Sequence, residues 1–350
     1  MSNEMFLGVL AALAVGLFSW GFRTLPQEGW QIAAAVPIAK DGHGHWHGVN
    51  LTYYGVFQAS AYTLGLAMMI VLLGAVGVSL LGAAALATLL LACCVPASSL
   101  VARLVERKRA TFTVAGAVFV GALLGPWVFL LGNRLLQHAL GASVPVVPAL
   151  AAAASGYALG EGVGRLACVS FGCCYGKPLA SLSPRLRALF ARAAFVFAGP
   201  TKKVAYEGGL EGTPVVPIQA ITATLFVGIA LVAAAAFLRG RYGLAFGLAF
   251  IGTQVWRTVS EVLRADYRGG GRISAYQMMA LLGMLYVAAV YPFLPVEALP
   301  PAHVLDGLQR LWDPVAIVCL QALWITIFLR TGRSVVTEAT LSFRVRRDLI

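Results

Sequence analysis

Residues 144–178 read VPVVPALAAAASGYALGEGVGRLACVSFGCCYGKP. The first part, 144–170, is an apolar run long enough to cross a bilayer. The last part, 160–178, sets Arg165, Cys168, Cys173 and Cys174 among glycines where that run is about to surface. A guanidinium at the end of a hydrophobic helix is costly unless it meets an anion, which makes Arg165 a functional candidate. Gly164, Gly172 and Gly176 allow positive φ and a close approach of backbone to a ligand. The competing reading is a snorkelling arginine on a glycine-packed helix pair. The local sequence leaves both open.

The apolar character extends outward in both directions. Of 350 residues, 59% are hydrophobic and only 11% charged, with a mean hydropathy of +0.82. That balance excludes a soluble domain and predicts an all-α, polytopic transmembrane bundle. Apolar runs fall at 5–20, 51–74, 80–103, 112–133, 144–170, 217–238, 243–262, 274–294 and 313–330, giving eight to nine spans. The N-terminal MSNE lacks the positive charge of a signal peptide, so the first run is read as a membrane helix. Three regions follow. Residues 1–50 hold an extra helix and a polar connector, 51–295 the transmembrane core, and 296–350 a further helix and a basic tail. Within the core, residues 177–216 form the one sizeable insert. There Ser183-Pro184 opens a helical pattern with Leu186, Leu189, Phe190 and Ala194 on one face, an interfacial helix. The net charge of +12 comes without a basic run interleaved with aromatics on a polar domain. Anionic lipid headgroups, not nucleic acid, are its natural partner.

A second polar constellation spans 256–272. Arg257, Glu261 and Arg264 stand at i, i+4 and i+7 and are expected on one helix face. Either they neutralise one another inside the bundle, or Glu261 holds one guanidinium while another faces a phosphate, which suits arginine's planar fork. The remaining cysteines, Cys93, Cys94 and Cys319, sit in apolar runs as small hydrophobes. No CxxC pair or regular spacing argues for a zinc site or a disulfide framework, and a vicinal 173–174 disulfide would be strained. A thiol beside Arg165 gains thiolate character, so Cys168 and Cys173 are either packing or reactive. His43, His45 and His47 alternate; an extended segment would put them on one face for a metal, whereas the intervening glycines suit a loop.

These pieces, in this order, resemble the prolipoprotein diacylglyceryl transferase family. Residues 164–176, GRLACVSFGCCYG, follow its signature G-R-x-G-N-F-x-N-G-E-x-x-G. Tyr53-Tyr54-Gly55 resembles its W-Y-G, residues 116–121 its G-x-x-F-H-G, and Pro217-Ile218-Gln219 part of its H-P-S-Q-L. Residues 257–264 match R-x-x-x-E-x-x-R, and Tyr276-Gln277 falls where the family has glycine-glutamine. The chain departs at Val120 and Val216, where the family has histidines, and at Cys168 and Cys173, where it has asparagine and glutamate. The resemblance therefore implies a divergent member.

It further implies transfer of a diacylglyceryl group from phosphatidylglycerol, or another anionic phospholipid, to a prolipoprotein cysteine in a bacterial inner membrane, releasing glycerol phosphate. Arg165 and Arg257 would clamp the leaving phosphate, with Glu261 orienting them and Tyr54 reaching the headgroup. Arg264, Gln219, Gly164, Gly172, Gly176, Cys168 and Cys173 would line the substrate site, with Cys168 or Cys173 also a candidate covalent way-station. No cofactor or metal is implied. Two alternatives stay open: a non-lipoprotein acceptor, and a non-catalytic phospholipid-binding or transport protein. The family's outward-facing site would place Arg107-Lys108-Arg109, the insert, Arg264, Arg268, Arg272, Arg344, Arg346 and Arg347 outside, against the positive-inside bias.

Overall fold

The computed structural model describes all residues except 107–113, 142, 267–272, 296, 298, 300, 337–346 and 350. Arg107, Lys108, Arg109, Arg268, Arg272, Arg344 and Arg346 therefore lie outside the described residues.

In lipid every backbone group must find a partner in the protein, and a long apolar run meets that need within itself by forming a helix. After α1 (Asn3–Thr24) the chain forms β1 (Ile32–Lys40) and β2 (Trp46–Thr52), then α2 (Tyr53–Ala75), α3 (Leu80–Glu106), α4 (Val114–Leu140) and α5 (Val146–Phe171). The insert holds α6 (Pro184–Phe190), β3 (Phe195–Val196), α7 (Lys203–Tyr206) and β4 (Pro214–Val215). Next come α8 (Ile218–Leu238), α9 (Tyr242–Ser260), α10 (Ala275–Val290), α11 (Val304–Leu311), α12 (Pro314–Thr331) and β5 (Arg333–Val336). Eight of these helices, α1–α5, α8, α10 and α12, are long and apolar enough to span a membrane. The ninth run became α9, which carries Gln254, Trp256 and Arg257.

The polar connector, for which the sequence left an extended segment and a loop both open, is a β-hairpin. β1 pairs antiparallel with β2, and β2 with β5, so the chain after α12 closes a three-stranded sheet beside the start of α2. Thr52 joins the two: its side chain caps α2 and also donates to Gly332 O at 3.1 Å. His43 and His45 donate backbone N–H groups to Asp41, and the His45 and His47 rings lie 3.8 and 3.6 Å from its carboxylate. The turn thus organises around Asp41, which hydrogen bonding from His45, ahead of burial's opposing pull, holds below the usual carboxylate value.

The core centres on α5, packed on α2, α8 and α9. A Cβ at Gly65 would sit 2.7 Å from Gly156 O, and one at Gly160 would sit 2.8 Å from Ala61 O. Small residues at these positions are what let α2 and α5 approach closely. The C-terminal ends of α1, α5, α9 and α12 and the N-terminal starts of α2, α8 and α10 gather at one end of the bundle, with the sheet and the insert. Buried Lys202 staples that end, donating to Leu25 O at 3.1 Å and Ser170 O at 2.6 Å. At the other end Asn3 donates to Ala302 O and accepts from Val304 N. In the insert, Phe190 and Ala194 pack on Leu179, Val216 and Ile218, while Leu186 and Leu189 stay exposed. The four expected apolar residues therefore divide between two environments.

Candidate active site

α5 builds the site because Tyr157, Glu161, Arg165 and Cys168 recur at helical spacing along one face. Arg165 pairs with Glu161 one turn before it. From α9, Arg257 reaches the same carboxylate at 3.6 Å and donates to Tyr157 Oη at 2.8 Å. Two guanidiniums, 13% and 12% exposed, therefore share one carboxylate that is 7% exposed. The group keeps one net positive charge, and the Nε donors of both arginines are buried without a hydrogen-bond partner. A buried cation with unspent donors is a site for an anion.

The expected Arg257–Glu261–Arg264 face is not formed. α9 ends at Ser260, residues 261–263 tighten into a 3-10 turn, and Arg264 is extended at φ −87°, ψ 152°. Arg264 forks onto Asp266, with Nε and Nη2 at 2.8 and 2.7 Å, and lies 3.9 Å from Glu261. Burial opposes the Arg264 charge, but Cys174, Asp266 and Glu261 outweigh it and hold the guanidinium well above its ordinary value. Glu261 accepts from Ser274 Oγ at 3.2 Å. The carboxylate holding Arg257 is thus Glu161, and Arg264 pins the loop after α9 against the Gly176 bridge.

The other expected site residues divide in the same way. Tyr54, on the first turn of α2, sets its ring edge-on to Phe171 at 5.7 Å. Gln219 is 1% exposed; its Nε2 donates to Cys173 O at 2.9 Å, while Oε1 is buried without a partner. The three glycines serve protein packing: a Cβ on Gly164 would meet Ala61, one on Gly172 would meet Lys202 and Val204, and one on Gly176 would meet the Val216 backbone. Gly172 also ends α5 in the left-handed region at φ 72°. That turn folds the chain back, so the Sγ atoms of Cys168, Cys173 and Cys174 all lie within 4.8 Å of one another. Arg165 Nη1 is 3.9 Å from Cys168 Sγ. Gln277 completes the capping box of α10 and donates to Thr258 O at 3.0 Å, tying α10 to α9.

Sequence reasoning missed Glu161, Tyr157 and Asp266. Glu161 carried a signal, since it stands i, i+4 to Arg165, and Tyr157 stands one turn earlier on the same face. Asp266 is two residues from Arg264, and no helical spacing marks it. Two cavities, of about 510 and 630 Å³, lie around the α8–α9 turn at the opposite end. The first is almost wholly apolar, lined by Leu7, Ala11 and Ala235 among others, and neither touches the arginine pair.

No curated protein and no solved structure matches the chain. The sequence pattern of the prolipoprotein diacylglyceryl transferase family matches residues 45–293, which contain α2 to α10, the arginine pair and the cysteine turn. A multi-pass helical protein that carries this pattern over most of its length belongs to the prolipoprotein diacylglyceryl transferase family.

Proposed function

We propose that the protein transfers the diacylglyceryl group of phosphatidylglycerol, or a related anionic phospholipid, to an acceptor thiol, with release of glycerol phosphate. The observation that carries this reading is the pair Arg165 and Arg257, buried together on Glu161 with one positive charge and two Nε donors to spare. A phosphodiester headgroup supplies the missing anion. As the bond from the glyceryl carbon to oxygen breaks, negative charge grows on the leaving phosphate, and fixed guanidiniums in a water-poor site stabilise that growth. Glu161 and Tyr157 hold the forks in place, so little reorganisation is needed when the charge develops.

Purified protein in phosphatidylglycerol micelles, incubated with a lipobox peptide, tests the reading. A peptide mass gain of one diacylglyceryl unit, lost in Arg165→Ala, supports it. Glycerol phosphate release from labelled lipid without peptide modification would keep the donor half and reject the lipoprotein acceptor. Lipid binding with no release would leave a binding protein.

A second reading, with an acceptor on the cytosolic side, is favoured by charge. The end of the bundle that holds the site also carries Lys177, Arg185, Arg187, Arg192, Lys203, Arg330 and Arg333 among its described residues, while the opposite end has Arg134, Arg239, Arg241 and Arg310 among its own. The positive-inside bias then turns the site toward the cytosol.

A further inference from the structure

We propose that Cys168, Cys173 and Cys174 form a three-thiolate site for a thiophilic divalent ion of the zinc class, with one coordination position left for water or for an acceptor thiol. Their Sγ atoms lie within 4.8 Å of one another, and Cys168 and Cys174 are 4.0 Å apart. Three sulfurs bound to one ion at about 2.3 Å stand about 3.8–4.0 Å from each other, so small side-chain rotations complete the triangle. The donor set within the group is sulfur alone, which selects zinc-class and softer ions over magnesium or calcium.

The backbone is shaped to bring these sulfurs together. Gly172 takes the left-handed cap of α5, and Cys173 N–H donates to Cys168 O at 3.1 Å. Cys174 has φ 54°, the one described non-glycine residue with positive φ. Cysteine serving as a small apolar filler needs no such backbone; side chains held in an unfavourable conformation cluster where a site demands their direction. Gln219 fixes the turn through Cys173 O. Arg165 Nη1 lies 3.9 Å from Cys168 Sγ, at the edge of the cluster.

A four-coordinate ion on three cysteines keeps one open position, the arrangement of catalytic rather than structural zinc. The next step rests on the transferase reading above. An acceptor thiol entering that position forms a sulfur–metal bond and loses its S–H proton to solvent, so the thiolate is made without the histidine that Val120 replaces. That sulfur would then attack the glyceryl carbon: the C–S bond forms, the C–O bond breaks with its electron pair leaving on glycerol phosphate, and the sulfur–metal bond breaks as the thioether departs and water returns to the open position.

The test uses the full chain in detergent under a phosphine reductant, titrated with Co²⁺ as a spectroscopic probe. The expected result is a near-ultraviolet sulfur-to-cobalt charge-transfer band that saturates at one ion per chain and is bleached by Zn²⁺. Cys168→Ser, Cys173→Ser and Cys174→Ser should each weaken binding by more than about a hundredfold, beyond what changes outside the ligand shell cause. Cys319→Ser should leave the band unchanged. Absence of the band, or its persistence in Cys173→Ser, overturns the proposal. X-ray absorption of zinc-loaded wild-type protein needs no variant to fold. At least three sulfurs at about 2.3 Å support the site, and fewer than three reject it. A full metal site in a protein that transfers nothing would stand as a metal site and sink the acceptor step alone.

Discussion

Arg165 and Arg257 are distinguished from Arg264 by what their forks have left to give. Arg264 spends its Nε and one Nη on Asp266, whereas the Nε groups of Arg165 and Arg257 have no partner. Replacing either with lysine keeps charge but loses the planar fork. Arg165→Lys and Arg257→Lys are expected to lower glycerol phosphate release by about 10²- to 10³-fold, as for loss of one transition-state donor. Arg264→Gln should act through stability instead, because it removes the fork onto Asp266, at a cost of about 3–5 kcal/mol. A thermal unfolding midpoint that falls in Arg264→Gln but stays level in Arg165→Lys would bear this out; the reverse pattern would exchange their roles. Arg165 was legible as a candidate because an arginine in an apolar run is conspicuous by type alone. Its pairing with Arg257 came only from the family resemblance, and the Glu161 carboxylate that they share was not legible, since it depends on α5 and α9 lying side by side.

At the scale of elements, close approach of α2 and α5 depends on glycine. Gly156→Val would drive a branched side chain into the Gly65 carbonyl, and overpacking of this kind costs about 1–3 kcal/mol. The expected outcome is a lower unfolding midpoint and a lower folded yield, with Gly8→Val, where a Cβ meets nothing, as the neutral control. The staple by Lys202 carries a pH signature. Burial, partly opposed by Glu28, depresses this amine from its ordinary 10.5 to about 8. The unfolded chain then holds the proton more tightly, so stability rises with pH between about 8 and 10.5 and the contribution is lost as pH falls through the folded value. Unfolding midpoints measured across that window should rise in wild type relative to Lys202→Met; parallel curves would show that the amine is not depressed. The spans were readable because lipid demands long apolar helices. The hairpin was not, because β1 and β2 gain their third strand from residues 333–336, far along the chain.

The whole molecule places the sheet, the insert and the arginine pair at one end of the bundle, and among the described residues most lysines and arginines lie at that end. An impermeant thiol reagent should therefore label Arg192→Cys only after permeabilisation of intact cells, and Arg310→Cys without it. The reverse labelling would restore an outward-facing site and a lipoprotein acceptor. Low charge and apolar runs of about twenty residues were enough to determine that this chain is a helical membrane bundle, since such runs suit helices that satisfy their own backbone in lipid. The ordered short motifs alone also pointed to the family, because they recur as local strings. Tertiary structure decided which carboxylate each arginine meets and which cysteines converge. Glu161 replaced Glu261 because α9 ends at Ser260, and three sulfurs meet because Gly172 turns the chain left-handed. Charge pairing and metal geometry depend on distances of a few ångströms across helices, and these are set by packing rather than by spacing along the sequence.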